Sequence, residues 1–391
     1  MAHAPPTRES LMPPQTPSIY PGDRHRAVQD VRDRLTQIGL LHAASNGDDL
    51  YDAALERAVR HFQQSRGLVS DGVLDGATYR VLDEARWRLG DRLLYPQPTR
   101  PMTGDDVLGL QNQLSELGFD VGRLDGEFGS QTVAAVREFQ RNMGLPPDGT
   151  CGPATFKSLT RLAPMVTGGH PDALRASEQL RREGPRLSGK RVVIDAGHGG
   201  DDPGVTAFGL TESRITADTA ARIEGRLAAT GVQVWQTHAP TLTGDLSEFE
   251  RAEFANATDA NIVLSLHVDR APTPLPHGLA TFYYGRDETT ASALGAQLAS
   301  LIQREIVART DLTDCRTHPR TWDILRRTRM TAVRVELGYL TNQQDAARLG
   351  DPAFRDLVAE AIVVALQRLY LPAEADPETG TMRVADIPLG H

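Results

Sequence analysis

Residues 189–371 alternate short apolar runs with longer segments of helical periodicity. The first run, at 192–194, is β-branched and is typical of a buried strand. Alternation at this spacing predicts an α/β domain with a twisted, mostly parallel sheet flanked by helices. Strands are predicted at 191–195, 232–236, 261–266, 279–284 and 332–336, and helices at 212–229, 247–257, 288–309, 343–349 and 352–369.

An internal duplication precedes this domain. The pairs Phe62-Gln63 and Phe139-Gln140 are 77 residues apart, and the same offset relates the landmarks that follow them. Such agreement indicates two copies of one unit. We predict two small all-α modules of three helices with Asp-Gly turns, at 21–90 and 100–162. The paired landmarks are Gly67-Leu68 with Gly144-Leu145, Asp71-Gly72 with Asp148-Gly149, and Thr78 with Thr155.

These landmarks resemble the type 1 peptidoglycan-binding domain. The second copy is the better match, through the Leu-Asp-Gly-Glu-Phe-Gly run at 124–129. The first copy has an insertion at 43–48 instead of this run. The resemblance implies that peptidoglycan or a muropeptide is a partner, and the alternative is a pair of packing modules without a sugar ligand. Phe62 and Phe139 are predicted to be core residues in either case.

Composition excludes some partners. The 391 residues carry a net charge of −9, which argues against non-specific binding to nucleic acid. No apolar run approaches the ~20 residues of a membrane span. Residues 1–10 lack the apolar core of a secretory signal, so we expect a cytoplasmic protein, or an extracellular one exported by a non-standard route. Cys151 and Cys315 are either two buried thiols or one bridge between domains.

The connecting and terminal segments are rich in proline and polar residues. Residues 1–20 are predicted to be disordered, 163–188 to form a linker that contains a charged, exposed helix at 172–183, and 372–391 to form a flexible tail. Thr379 and Thr381 in the tail are candidates for regulatory phosphorylation, which would add negative charge. An inert tail is the alternative.

Four histidine or acidic side chains lie where predicted strands end or a helix begins. His198 follows the first strand in a glycine-rich loop, and His267 and Glu336 end later strands, whereas Glu212 begins the first long helix. The carboxyl ends of parallel strands share one edge of an open sheet, where ligands bind. Two imidazoles and a carboxylate suit a catalytic zinc, and a further carboxylate suits a general base. The set indicates metal-assisted amide hydrolysis, and the alternative is a scaffold that has lost activity.

Residues 190–371 resemble the zinc-dependent N-acetylmuramoyl-L-alanine amidases of the type 3 family. The resemblance implies that His198, Glu212 and His267 bind zinc and that Glu336 is the catalytic glutamate. It also implies that Arg251 and Asn256 support the ligands from outside the metal site. The implied fold has a sheet of about six strands. The implied reaction cleaves the bond between N-acetylmuramic acid and L-alanine. The matching motifs are Asp-Ala-Gly-His-Gly-Gly at 195–200, Pro-Gly at 203–204, Gly-Leu-Thr-Glu at 209–212, Ser-Leu-His at 265–267 and Val-Glu-Leu-Gly-Tyr-Leu-Thr-Asn at 335–342.

The order of the domains supports a second hypothesis. Tandem modules, an amidase-like domain and a threonine-bearing tail also resemble a group of actinobacterial proteins. That resemblance implies a cytoplasmic regulator of peptidoglycan precursor synthesis, controlled by phosphorylation. Its partner would be a cell-wall precursor enzyme, UDP-N-acetylglucosamine enolpyruvyl transferase. The two hypotheses, a zinc amidase and a binding protein, do not exclude each other.

Overall fold

The computed structural model describes residues 18–41, 49–97, 99–162, 171–237, 246–286 and 290–387. Each predicted module contains three helices, which confirms the prediction of two small helical units. The first module consists of α1 (Ala27–Gln37), α2 (Ala53–Ser65) and α3 (Gly76–Glu84), and the second of α4 (Asp105–Glu116), α5 (Ser130–Asn142) and α6 (Pro153–Leu162).

A buried glutamine explains why the two copies share their landmarks. In the second module, the Gln140 side chain donates to the carboxylate of Asp148 at 2.8 Å and accepts from the backbone N–H of Gly149. Gln63 makes the same two kinds of contact with Asp71 and Gly72 in the first module. The amide oxygen therefore satisfies the backbone N–H of a buried glycine, and the amide N–H groups hold the aspartate of the same turn. The shared pattern is structural.

The aromatic landmarks are also structural. Phe62 and Phe139 are 0% and 1% exposed, which confirms that they are core residues. In the second module, Gln111 makes the same two kinds of contact with a further turn: its amide donates to Asp125 and accepts from the backbone N–H of Gly126. The insertion at 43–48 lies outside the described residues.

The two ends of the chain are more ordered than the sequence predicts. Ile19 is buried and pairs with Leu74, whereas residues 1–17 lie outside the described chain. The helix predicted in the linker is present as α7 (Pro171–Glu183), and it packs against the C-terminal domain. The predicted flexible tail packs over 372–387 instead, because Ile387 is buried in the main core and Arg368 binds Asp376. Residues 388–391 lie outside the described chain.

The C-terminal domain contains a six-stranded sheet in the order β4-β1-β5-β8-β6-β7, beside a small β2–β3 hairpin. Its strands are β1 (Arg191–Ala196), β2 (Thr206–Ala207), β3 (Leu210–Thr211), β4 (Gln233–Gln236), β5 (Ile262–Asp269), β6 (Leu279–Tyr284), β7 (Asp314–Arg320) and β8 (Thr331–Tyr339). Its helices are α8 (Glu212–Ala229), α9 (Glu248–Ala257), α10 (Ala293–Arg309), α11 (Asp323–Arg327), α12 (Gln343–Gly350) and α13 (Pro352–Tyr370).

The sheet is mixed. Four neighbouring strands, β4, β1, β5 and β8, are parallel, as predicted, but β6 runs antiparallel to β8. The reason is the short connection at 270–278, which contains no helix. The chain turns back at the sheet edge where β5 ends, so β6 runs in the opposite direction. A parallel neighbour would need a crossover of a dozen or more residues. The β2–β3 hairpin, β7 and α11 are not among the elements predicted from the sequence.

Side chains on alternate positions of the central strands face two different layers. Val192 and Ile194 lie in the large core under α8, α10 and α13, whereas Val193 lies in a smaller core with residues of α9 and α11. The same alternation places Asp195, His267 and Glu336 on the α9 face. His267 and Glu336 therefore lie on the side of the sheet with the smaller core, whereas Glu212 begins α8, which packs on the opposite side.

Both modules contact the domain through α11. Nη1 of Arg326 on α11 donates to both carboxylate oxygens of Glu84 of the first module, at 2.9 and 3.1 Å. Arg123 of the second module donates to the carbonyl oxygens of Leu325 and Thr328. Since Arg326 and Glu84 are about one-tenth exposed, this pair is part of a buried interface.

The structure shows the state of the two cysteines and the character of the helices. Cys151 and Cys315 are both free thiols, so they form no bridge; Cys151 is buried and Cys315 is half-buried. Among the described residues, no helix combines the length and the apolar character required to cross a lipid bilayer.

Candidate metal centre and active site

The carboxyl edge of the central strands brings the predicted side chains together. β5 lies between β1 and β8, and its His267 is in register with Glu336 of β8. His198 belongs to the loop that leaves β1, and Glu212 is the first residue of α8. Residues from four separate segments therefore meet at one edge.

Three of these side chains form a compact donor cluster. Nε2 of His198 lies 3.2 Å from Oε2 of Glu212, and Nδ1 of His267 lies 3.0 Å from Oε1 of the same carboxylate. One ligand atom from each residue falls within 4.8 Å of the others. This spacing and this set of nitrogen and oxygen donors fit a single cation such as zinc.

Two glycines leave the space that the cluster needs. A Cβ atom at Gly197 would lie 2.4 Å from Cε1 of His267. A Cβ atom at Gly204 would lie 2.7 Å from Oε2 of Glu212 and 2.8 Å from the ring of His198. No larger residue fits at either position without displacing a donor, so the glycine-rich loop is part of the site.

The charges of the cluster are strongly coupled. The hydrogen bond with Glu212 raises the pKa of His198 to about 9, against the effect of burial and with help from Asp202. Burial lowers the pKa of His267 to about 4. Burial alone would raise the pKa of Glu212, but hydrogen bonds with both histidines outweigh it and hold that pKa far below its usual range. In the absence of a cation, a proton on His198 balances the Glu212 carboxylate.

Asp202 is a further residue of the metal site, and it is not among the residues predicted from the sequence. Its Oδ2 lies 2.5 Å from Nδ1 of His198, and its Oδ1 accepts from the backbone N–H of Gly204. A carboxylate on the far nitrogen of a ligand imidazole fixes the tautomer and the direction of the ring. The signal was present, since Asp202 follows His198 by four residues in the same loop.

The two predicted supporting residues have different positions. Arg251 donates to Asp195 at 2.7 Å and to the carbonyl oxygens of Ala196 and His198, so it holds the backbone that presents His198. Asn256 instead bonds to the backbone of Arg327 and Arg329. It fixes the chain after α11 and makes no direct contact that the structure records with the cluster.

Glu336 combines one fixed carboxylate oxygen with one free oxygen. Nε and Nη2 of Arg334 lie 2.8 and 2.7 Å from Oε1. Oε2 is buried and has no hydrogen-bond partner among the described residues. Burial raises the pKa of Glu336 to about 7, although Arg334 opposes this rise. A carboxylate that titrates near neutral pH with one unpaired oxygen suits a general base.

Arg334 connects this base to α11. Its Nη1 lies 2.9 Å from Glu248 on α9, and its guanidinium lies 4.5 Å from the ring centre of Trp322. Trp322 immediately precedes α11, and the other carboxylate oxygen of Glu248 accepts from the N–H of Ile324 in α11. The helix that contacts both modules thus also contacts the partners of the base.

The threonines of the tail lie apart from the cluster. Oγ1 of Thr379 accepts from Arg368 at 3.0 Å, and Oγ1 of Thr381 donates to the carbonyl oxygen of Glu378. Thr379 is half-buried, and Thr381 is exposed.

Comparison with protein families matches both regions of the chain. Residues 192–368 match the family described as N-acetylmuramoyl-L-alanine amidase. Residues 24–82 and 103–159 match the family described as putative peptidoglycan binding domain.

Individual relatives extend these matches. The N-acetylmuramoyl-L-alanine amidase CwlM of Mycobacterium tuberculosis is 45% identical over 95% of this chain and 93% of that protein. LytC of Bacillus subtilis, named as the same kind of amidase, is 29% identical over 51% of this chain and 38% of that protein. Among solved structures, the amidase AmiC2 of Nostoc punctiforme is 29% identical with a TM-score of 0.42, covering 46% of this chain and 96% of that one.

Proposed function

The chain belongs to the N-acetylmuramoyl-L-alanine amidases, and we propose that it hydrolyses peptidoglycan with a zinc ion held by His198, Glu212 and His267. The bond cleaved is the amide between N-acetylmuramic acid and the L-alanine of the stem peptide. The observation that carries this proposal is the donor cluster, with the unpaired Oε2 of Glu336 at the same sheet edge.

The donor set supports zinc as the cofactor. Two imidazoles and one carboxylate leave a position open, which is the pattern of catalytic zinc sites. When bound, zinc supplies a Lewis acid that activates water and polarises the scissile carbonyl. His198 would hold the cation through Nε2, since its Nδ1 is held by Asp202. Glu212 would supply a negative charge that offsets part of the charge of the cation.

Glu336 performs the proton transfers. Its Oε2 takes a proton from the attacking water and returns it to the nitrogen of the leaving L-alanine. Arg334 holds Oε1, so the carboxylate cannot rotate freely and Oε2 keeps its direction. Burial keeps the pKa near 7, which allows the same group to act first as a base and then as an acid.

We assign binding of the glycan or muropeptide to the two N-terminal modules, on the basis of their family match. Since both modules contact α11, they would present the polymer at a fixed position relative to the site.

The regulator hypothesis has no comparable support. Nothing in the described residues favours a precursor enzyme as a partner. The family matches favour hydrolysis.

The test is a zinc and activity measurement on the full chain. Wild type should bind about one zinc per chain and release stem peptides from muropeptides, detected by mass spectrometry. Glu336→Gln should keep the zinc and lose about 100-fold or more of the rate, the usual value of a general base. Glu253→Gln, an exposed residue of α9, is the matched control and should match wild type. Zinc-loaded wild type that releases no peptide would contradict the proposal.

A further inference from the structure

The β2–β3 hairpin carries an aromatic residue in an unusual conformation. Its two strands pair Thr206 with Thr211 and Ala207 with Leu210, so the turn consists of Phe208 and Gly209. Both turn residues have positive φ, 51° and 75°. Positive φ at both positions defines a type I′ turn, which favours Asn-Gly or Gly-Gly.

Phenylalanine is a poor residue for this position. A bulky side chain in the left-handed region is a genuine outlier, because its Cβ crowds the neighbouring carbonyl oxygen. Phe208 is also 61% exposed, so burial of the ring does not compensate for the strain. Strained residues that persist without a packing reason are found mainly at ligand-binding and active sites.

The hairpin is attached directly to the metal cluster. Glu212 follows β3, its N–H donates to the carbonyl oxygen of Val205, and the N–H of Val205 donates to Oε2 of Glu212. From this pair to the turn the hairpin extends by three residues, or about 10 Å at ~3.3 Å per residue. That distance is comparable to the length of a disaccharide.

Apolar side chains anchor the hairpin to the core of the domain. Val205, Ala207 and Leu210 pack against the main core, and Leu210 lies under Gly350 at the end of α12. The exposed ring of Phe208 therefore stands on a rigid base. The loop after β5 also contains an exposed apolar side chain, Leu275, which is 77% exposed.

We propose that Phe208 is a substrate-binding residue whose ring stacks on a pyranose ring of the glycan next to the scissile amide. The C–H groups of one sugar face are apolar and match the face of an aromatic ring, whereas the hydroxyl groups remain in water. This inference rests on the proposed function, because it names a contact of the same site.

The test compares Phe208→Asn with wild type, because asparagine tolerates the turn conformation. Removing the ring should raise KM for a muropeptide about threefold to tenfold, the range of one aromatic contact. The kcat value and the zinc content should stay at wild-type values. The melting temperature should rise by about 2 °C, since the strain is relieved. Leu174→Asn, an exposed apolar residue of α7, is the matched control and should leave KM unchanged.

Inhibition experiments identify the part of the substrate that stacks. A peptide-free disaccharide of the glycan should inhibit Phe208→Asn more weakly than wild type by the same factor, and the free stem peptide should inhibit both equally. The reverse pattern, or an unchanged KM with a higher melting temperature, would overturn the inference and leave the amidase function intact. If zinc-loaded wild type cleaves no muropeptide, the proposed function fails, whereas weaker binding of the disaccharide by Phe208→Asn would still support the stacking contact.

Discussion

Arg334 binds only one of the two carboxylate oxygens of Glu336. Two nitrogens of the guanidinium lie within 2.8 Å of Oε1, and Oε2 remains buried without a partner. Since both residues are on β8 and their side chains leave the same face, their geometry is set by the strand itself. The pair fixes the direction in which the base can accept a proton.

Replacing Arg334 should therefore impair catalysis more than folding of the metal site. We expect Arg334→Met to lower kcat by about 10-fold to 100-fold, from the loss of charge-assisted hydrogen bonds worth ~1.5–3 kcal/mol. Arg334→Lys should recover part of the rate, because it keeps the charge but loses the fork geometry. Steady-state kinetics and bound zinc measure the effect, with Arg304→Met on α10 as the control. Loss of zinc in Arg334→Met would instead indicate a collapsed site.

Asp202 should control metal affinity through the orientation of His198. We expect Asp202→Asn to weaken zinc binding about 10-fold to 100-fold, the usual effect of removing such a carboxylate. Asp201→Asn is a close control, because Asp201 is the preceding residue and is exposed. Competition with a zinc chelator measures both affinities. Equal affinities for the two variants would show that the 2.5 Å contact does not orient the ligand.

Zinc binding should become tighter as the pH rises from 6 to 8. His198 has a pKa raised to about 9, so the metal-free protein holds a proton on it throughout this range, and zinc must displace that proton. His267, with a pKa of about 4, is already neutral and contributes no dependence. Calorimetry in two buffers of different ionisation enthalpy should detect release of about one proton at pH 7. A pH-independent affinity would contradict the assignment.

The ion pair between Glu84 and Arg326 should be important for stability of the interface. Glu84→Gln leaves the buried guanidinium of Arg326 without a carboxylate partner, so it should destabilise the protein by about 3–5 kcal/mol. Arg80→Ala breaks a pair with Asp323 in which Arg80 is 48% exposed, and it should cost about 1 kcal/mol or less. Denaturant unfolding measures both values. Similar values for the two variants would show that the first module is not held by the buried pair.

Much of the site could be predicted from the sequence because its signals are local. Glycine-rich turns and strand ends place His198, His267 and Glu336 at one edge of a parallel sheet, and α8 begins at Glu212 as predicted. The duplication likewise follows from short-range contacts, since Gln63 and Gln140 bind turns only a few residues away. Periodicity and residue type are sufficient to predict such features.

The contacts between distant segments of the chain depend on the tertiary structure. The direction of β6, the contact of Glu84 with Arg326, and the packing of Ile387 depend on residues far apart in the chain. The unpaired Oε2 of Glu336 and the conformation of Phe208 required coordinates, because residue type predicts neither a missing hydrogen bond nor a phenylalanine with positive φ. The sequence thus determined which groups reach the site, and long-range packing determined their orientation, because packing depends on contacts that periodicity does not encode.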